Sequence, residues 1–232
     1  MSRDLYPALS GAVGAWNSLE QIANNLANVS TTGYRAQRSA FSVTGPDGHP
    51  LGQAYAKTRP AAVDERDGAV VRDDVSTHLA LQGPGYFLVG SDGDAPTVTR
   101  DGRFTLDAAR RLVDAQGLPV QGDGGAIEIP EGETFTVAPD GAVTASESGL
   151  VGQLRIVLPD GLRALGGNKL EAVGGLRQGT AQVVQGALEA SNVDPMSAMV
   201  DLVQASRIFD AFQKAMQASD ELDGRLNQMG GR

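Results

Sequence analysis

Apolar residues recur at spacings of four and three near the start of the chain, at Leu5, Leu9, Ala12, Trp16, Leu19, Ala23 and Leu26. That rhythm is a coiled-coil seam, in which a repeat of about 3.5 residues keeps one stripe against a partner. It predicts a helix over 7–28, with Pro7 in the first turn, where its missing N–H costs nothing. The same rhythm returns at Ala198, Leu202, Ala205, Phe209, Phe212 and Met216. It predicts a second helix from Pro195 to Gln228, with Asp194 as its N-cap. A helix that long spans roughly 50 Å at 1.5 Å per residue, too long to lie inside a small compact domain. Two such stripes pack most simply against each other, with Leu9, Trp16, Leu19, Ala23 and Leu26 facing Leu202, Ala205, Phe209, Phe212 and Met216.

Between the helices the period changes. Short apolar or alternating runs are expected as strands over 69–72, 79–81, 86–89, 97–100, 103–106, 112–114, 126–129, 134–138, 142–145 and 154–158. Asp-Gly pairs begin at Asp67, Asp92, Asp101, Asp123, Asp140 and Asp160, and this dipeptide favours the tight turns that join antiparallel strands. Gly45-Pro46-Asp47-Gly48 is another turn signal. The glycine-rich stretch from Gly161 to Gly179 reads as a loop. The expected class is α+β: two terminal helices form a coiled-coil base, and a central antiparallel β domain is a sandwich or open barrel. The expected divisions are 1–33 for the first helix, 34–57 for a connector, 58–184 for the β domain and 185–232 for the second helical segment.

Charge changes the picture at the N-terminus. From Leu5 to Tyr34 the only charged residue is Glu20, where an average composition would place roughly seven. The polar face carries Asn17, Gln21, Asn24, Asn25 and Asn28, with small Gly11, Gly14 and Ala15 beside it. A helix without charge on any face is usually buried. One partner helix covers one side, so other subunits are expected to cover the rest, with Asn24, Asn25 and Asn28 hydrogen-bonding across to them.

Three strings go further. The first is Ala23-Asn24-Asn25-Leu26-Ala27-Asn28-Val29-Ser30-Thr31-Thr32-Gly33-Tyr34-Arg35. The second is Leu81-Gln82-Gly83-Pro84-Gly85-Tyr86-Phe87, followed by Thr99-Arg100-Asp101-Gly102-Arg103-Phe104. The third is Gln185-Gly186-Ala187-Leu188-Glu189-Ala190-Ser191-Asn192-Val193-Asp194-Pro195, followed by Met199 to Arg207. In this order they resemble the signatures of the bacterial flagellar axial proteins, the family that builds the rod and hook. The start Leu5-Tyr6-Pro7-Ala8-Leu9, the short middle and Ile127-Glu128-Ile129-Pro130-Glu131-Gly132 are more similar to the proximal-rod type than to the distal rod. The resemblance implies a subunit exported unfolded through the flagellar type III apparatus, without signal cleavage. It would assemble in the periplasm with other rod proteins and with copies of itself into a tube that transmits torque, its terminal helices inside and its β domain outside.

Other chemistry is poorly supported. The chain has 19 Lys plus Arg and 28 Asp plus Glu, a formal charge of −9. The signs are interspersed and no basic stripe is present, which argues against a nucleic-acid partner. No apolar run is long enough to span a membrane, and Met1-Ser2-Arg3-Asp4 does not open a secretory signal. Without cysteine there is no disulfide or thiolate site. His49 and His78 lie at no ligand spacing, so neither a metal nor a cofactor is expected. The acidic cluster Asp64, Glu65, Asp67, Asp73 and Asp74 reads as a solvated face. The reading from another class is a carbohydrate-processing or carbohydrate-binding β domain with an oligomerising tail, its carboxylates drawn from Asp73 and Asp74.

Overall fold

The structure, a computed structural model, describes residues 5–38, 41–44, 55–58, 62–90, 96–166 and 168–230. Contacts divide the chain into two units. A helical unit takes residues 1–27, 37–62 and 194–232, and a β unit takes 28–36 and 63–193.

In the helical unit, α1 runs Leu5–Ala27 and α2 runs Pro195–Gly230. Asp194 caps α2: its carboxylate accepts the N–H of Met196 at 3.3 Å and of Ser197 at 3.2 Å, satisfying donors that the helix cannot. The two helices pack together. They run antiparallel, because Gly11 lies against Phe212 and Trp16 against Phe209. The expected connector holds structure of its own. Phe41–Thr44 pairs antiparallel with Tyr55–Thr58, and the second strand lies beside α1. The turn signal at 45–48 and His49 fall outside the described residues.

The β unit, 28–36 with 63–193, does not share the bounds of the expected 58–184. Gln182–Gln185 pairs with Leu79–Gln82, and Ala187–Glu189 pairs with Val70–Arg72, both antiparallel. Four further strands, Tyr86–Val89, Thr97–Thr99, Ile156–Gly166 and Lys169–Gln178, pair in a closed antiparallel ring. The sheet is thus a small closed barrel with short satellite sheets, one of them built from Phe135–Val137, Ala142–Ala145 and Gly149–Gln153. Residues alternate along Tyr86–Val89. Phe87 and Val89 enter a large apolar cluster with Leu79, Phe104 and Leu112, whereas Tyr86 and Leu88 enter a second with Val98 and Leu170. That period-two split explains why all four are apolar: both faces of the strand are covered. Phe87 and Phe104 meet edge to face, 5.1 Å between centroids.

The loop expected over 161–179 is a correction. Most of it is the longest hairpin among the described residues, and Asp160-Gly161 is no turn but sits within its first strand, where the register shifts between Pro159 and Gly161. The glycines here permit a bulge rather than end a strand. Asp140-Gly141 and Asp123-Gly124 do join paired strands. Asp101-Gly102 serves close packing instead: a Cβ at Gly102 would overlap the Leu79 carbonyl, and the Gly102 carbonyl accepts the Leu79 N–H at 3.1 Å.

Candidate assembly site

The helical unit places the residues of the expected seam as follows. Trp16 and Phe209 stack at a tilt, 5.4 Å apart and 53° between planes. Ala205 is buried, and Leu19, Leu26, Leu202, Phe209, Phe212 and Met216 are partly buried. Leu9 and Trp16 keep 48% and 51% of their surface exposed, and Ala23 and Asn24 are exposed. The closest approach is made by small residues. A Cβ at Gly11 would stand 2.5 Å from the Phe212 ring. Ala12 and Ala198 are buried, at 5% and 8% exposure. Gly11, Gly14 and Ala15 on α1 face Ala205, Ile208 and Phe212 on α2 across an apolar groove of about 430 Å³.

Of the expected amides, Asn25 and Asn28 also make bonds within the chain. Asn25 uses both ends of its side chain inside the chain: Oδ1 accepts the Gln37 N–H and Nδ2 donates to the Gln37 carbonyl, each at 2.9 Å. Asn25 lies in the last turn of α1, near the returning backbone, and copies a strand pairing there. In the β unit, Asn28 Oδ1 accepts the Thr31 hydroxyl at 3.2 Å.

Periodicity along the first seam missed a second stripe. Met196, Met199, Val200 and Val203 stand at i, i+3, i+4 and i+7 of α2, one helical face, and are 70%, 50%, 63% and 53% exposed. On α1, Leu9, Val13 and Trp16 form a similar half-exposed row. Apolar residues gathered on one face in water mark an interaction surface.

The β unit holds a different feature. Glu189 is buried, its side chain 1% exposed, and accepts from Arg35 Nη2 at 2.8 Å and Arg100 Nη1 at 2.9 Å. Its Oε1 also accepts the Gly68 N–H at 2.8 Å, and its backbone carbonyl accepts the Gly33 N–H at 2.7 Å. Asp67 adds a second carboxylate, 3.1 Å from Arg35 and 3.5 Å from Arg100. Two cations thus meet two anions, and one residue of each signature string, Arg35, Arg100 and Glu189, sits at the centre. Burial holds the Arg100 guanidinium below its ordinary pKa; Glu189 opposes this and Arg35 adds to it. Burial raises Asp67, but the Gly83 N–H, Arg35 and Arg100 together leave it below the ordinary carboxylate range. Arg100 also lies 5.1 Å over the Tyr86 ring. Charged residues set inside apolar strings, Arg100 after Thr97-Val98-Thr99 and Glu189 after Ala187-Leu188, were the available signal.

Of the expected solvated acidic face, Glu65, Asp67, Asp73 and Asp74 are exposed, and Asp64 is the exception. Asp64 is buried beneath the Arg66 guanidinium, which donates at 2.8 Å, and Asp73 pairs with His78 Nδ1 at 2.5 Å. Among the described residues no group of three or more His, Asp or Glu could hold a metal, and no helix is long and apolar enough to cross a membrane.

Family models match three stretches of the chain. Residues 5–35 match the flagella basal body rod protein model. Residues 80–145 match the flagellar hook protein FlgE/F/G D1 domain, and 184–229 match the C-terminal model of the flagellar basal body rod FlgEFG proteins. Among whole proteins, the chain is 31% identical to the flagellar basal-body rod protein FlgF of Salmonella typhimurium over 248 residues, covering 99% of this chain and 98% of the relative. It is 31% identical to FlgF of Escherichia coli, again over 99% and 98%. It is 30% identical to FlgG of Borreliella burgdorferi, over 99% of each. With its three signature strings matched and its whole length aligned, the chain belongs to the family of flagellar basal-body rod proteins.

Proposed function

We propose that this chain is a structural subunit of the proximal part of the flagellar rod, polymerising through its terminal helices with copies of itself and with other rod proteins to carry torque. The observation that supports the reading most is the exposed apolar face of α2, Met196, Met199, Val200 and Val203. At roughly 25 cal/mol per Å² of apolar surface covered, a face of this kind favours association strongly. Head-to-tail contacts between unlike surfaces of identical subunits extend without closing, which builds an open helix. Similarity to FlgF proteins in two species over nearly the whole chain supports the proximal position. In this reading the subunit reaches the periplasm through the flagellar type III apparatus with its N-terminus uncleaved, binds no nucleic acid and catalyses nothing.

The test is location. Basal bodies purified from cells carrying a tagged copy should contain the chain at the base of the rod, below the FlgG segment, with its N-terminus intact. Its absence from the axis, or its recovery only in the distal segment, would overturn the assignment.

A further inference from the structure

We infer that residues 28–36 form a strap that leaves and rejoins the β unit as one piece, without unfolding it, with Arg35 as its key. Four observations carry this.

The strap is fastened by polar links. Besides the Gly33 and Arg35 bonds to Glu189, the Ala36 N–H donates to Asn192 Oδ1 at 2.8 Å and the Ala36 carbonyl accepts the Asp64 N–H at 2.7 Å. The Asn168 side chain donates to the Thr32 carbonyl. Each such link is worth little net, because water offers the same groups equivalent bonds when the strap is off.

The strap supplies one buried ring, Tyr34, and no residue to either apolar cluster of the β unit. Lifting the strap therefore leaves the hydrophobic core intact, the condition for a sub-global opening below the free energy of unfolding.

The docked state is incompletely satisfied. Arg35 Nε and Nη1, Arg100 Nε and Asn168 Oδ1 are buried with no hydrogen-bond partner. Buried donors and acceptors left unpaired oppose docking, and the desolvation of a buried ion pair offsets much of its attraction. The strap is held, but not deeply.

The strap's neck is tied. Asn25 grips the Gln37 backbone at both its N–H and its carbonyl, so the residues on either side of the strap stay together. Released, it remains a small closed loop rather than an unravelled chain, which limits the entropy gained and makes rejoining quick.

Amide exchange on the full-length protein tests this. In the wild type, the Gly33 and Ala36 amides should exchange about tenfold or more faster than those of Phe87, Leu88 and Val89. Urea below the unfolding transition should leave strap exchange nearly unchanged and accelerate strand exchange steeply, because lifting the strap exposes little surface and global unfolding exposes all of it. Arg35→Met should raise the urea-insensitive strap exchange by about a further tenfold. If strap and strand amides exchange at one common rate in the wild type, or if strap exchange rises with urea as steeply as strand exchange, the strap opens only with global unfolding and the inference falls; it falls too if Arg35→Met leaves strap exchange unchanged. Should Arg35→Met fail to fold, Arg35→Lys keeps the cation but alters its reach to Asp67 and Glu189, and must accelerate strap exchange in the same urea-insensitive way.

Discussion

Arg100 Nη1 lies 2.9 Å from Glu189 Oε2, although 89 residues separate them in sequence and each side chain is only 1% exposed. Removing Arg100 leaves the buried Glu189 with Arg35 alone of its two cations, and removing Glu189 leaves two buried arginines short of a carboxylate. Arg100→Met should cost about 3–5 kcal/mol, read as a shift in the urea midpoint. Arg100→Met combined with Glu189→Leu should cost less than the sum of the single changes, because the two lost partners go together and Arg35 keeps Asp67. Simple additivity would show that the pair does not act as a unit.

The Trp16 and Phe209 rings, 5.4 Å apart, are expected to couple α1 to α2 by about 1 kcal/mol beyond the area they cover. A double-mutant cycle with Trp16→Ala and Phe209→Ala, followed by thermal unfolding of dilute monomer, measures the coupling. A value near zero would mean that the small residues around Gly11 and Ala12 hold the helices together unaided.

Val200→Asp and Val203→Asp place a charge on the exposed face of α2. Both sites are more than half exposed, so monomer stability should change by no more than about 0.5 kcal/mol. Sedimentation at rising concentration should nevertheless show association lost. Unchanged association would direct attention to the Leu9, Val13 and Trp16 row instead.

Asp67 gives a pH dependence with a definite sign. Its pKa is depressed in the folded protein, so the native state favours its charged form. The stabilisation is fully present above the unfolded value of about 3.9 and is lost as pH falls through the lower folded value. Asp67→Asn should therefore be less stable than the wild type at neutral pH, and the two melting curves should converge below about pH 4. A gap of constant size across that range would remove Asp67 from the account of acid stability.

Gly102→Ala tests close backbone packing. Its Cβ would overlap the Leu79 carbonyl, and Leu79 is fully buried, so neither side can give way. A loss of about 2–3 kcal/mol is expected in denaturant titration.

Both helices and most strands of the β unit were readable because their side chains obey one period at a time. Ala198, Leu202 and Ala205 repeat at helical spacing, and Tyr86 to Val89 form a short apolar run closed by Gly85 and Gly90. The hairpin of Ile156–Gly166 with Lys169–Gln178 was not readable as strand. Gly161, Gly166, Gly174 and Gly175 lower local β propensity, and only the partner strand reveals why they are tolerated. Leu162, Leu170 and Leu176, which line or pack on the second apolar cluster, were the signal in that stretch. The outer stripe of α2 was hidden by the inner one, since a helix apolar on two faces satisfies a single-seam pattern. The Arg35, Arg100 and Glu189 cluster escaped for a different reason: ion pairs between distant segments leave no periodic trace.

The pairing of Val70–Arg72 with Ala187–Glu189 sets the timetable by which this subunit becomes itself. Its first strands wait for almost its last, and closing a loop on the order of a hundred residues is slow compared with forming a helix or a hairpin. Val70–Arg72 has no partner strand until the polypeptide is made as far as Glu189. The sheet that joins the two ends of the β unit is therefore the one whose completion waits for nearly the whole of that unit.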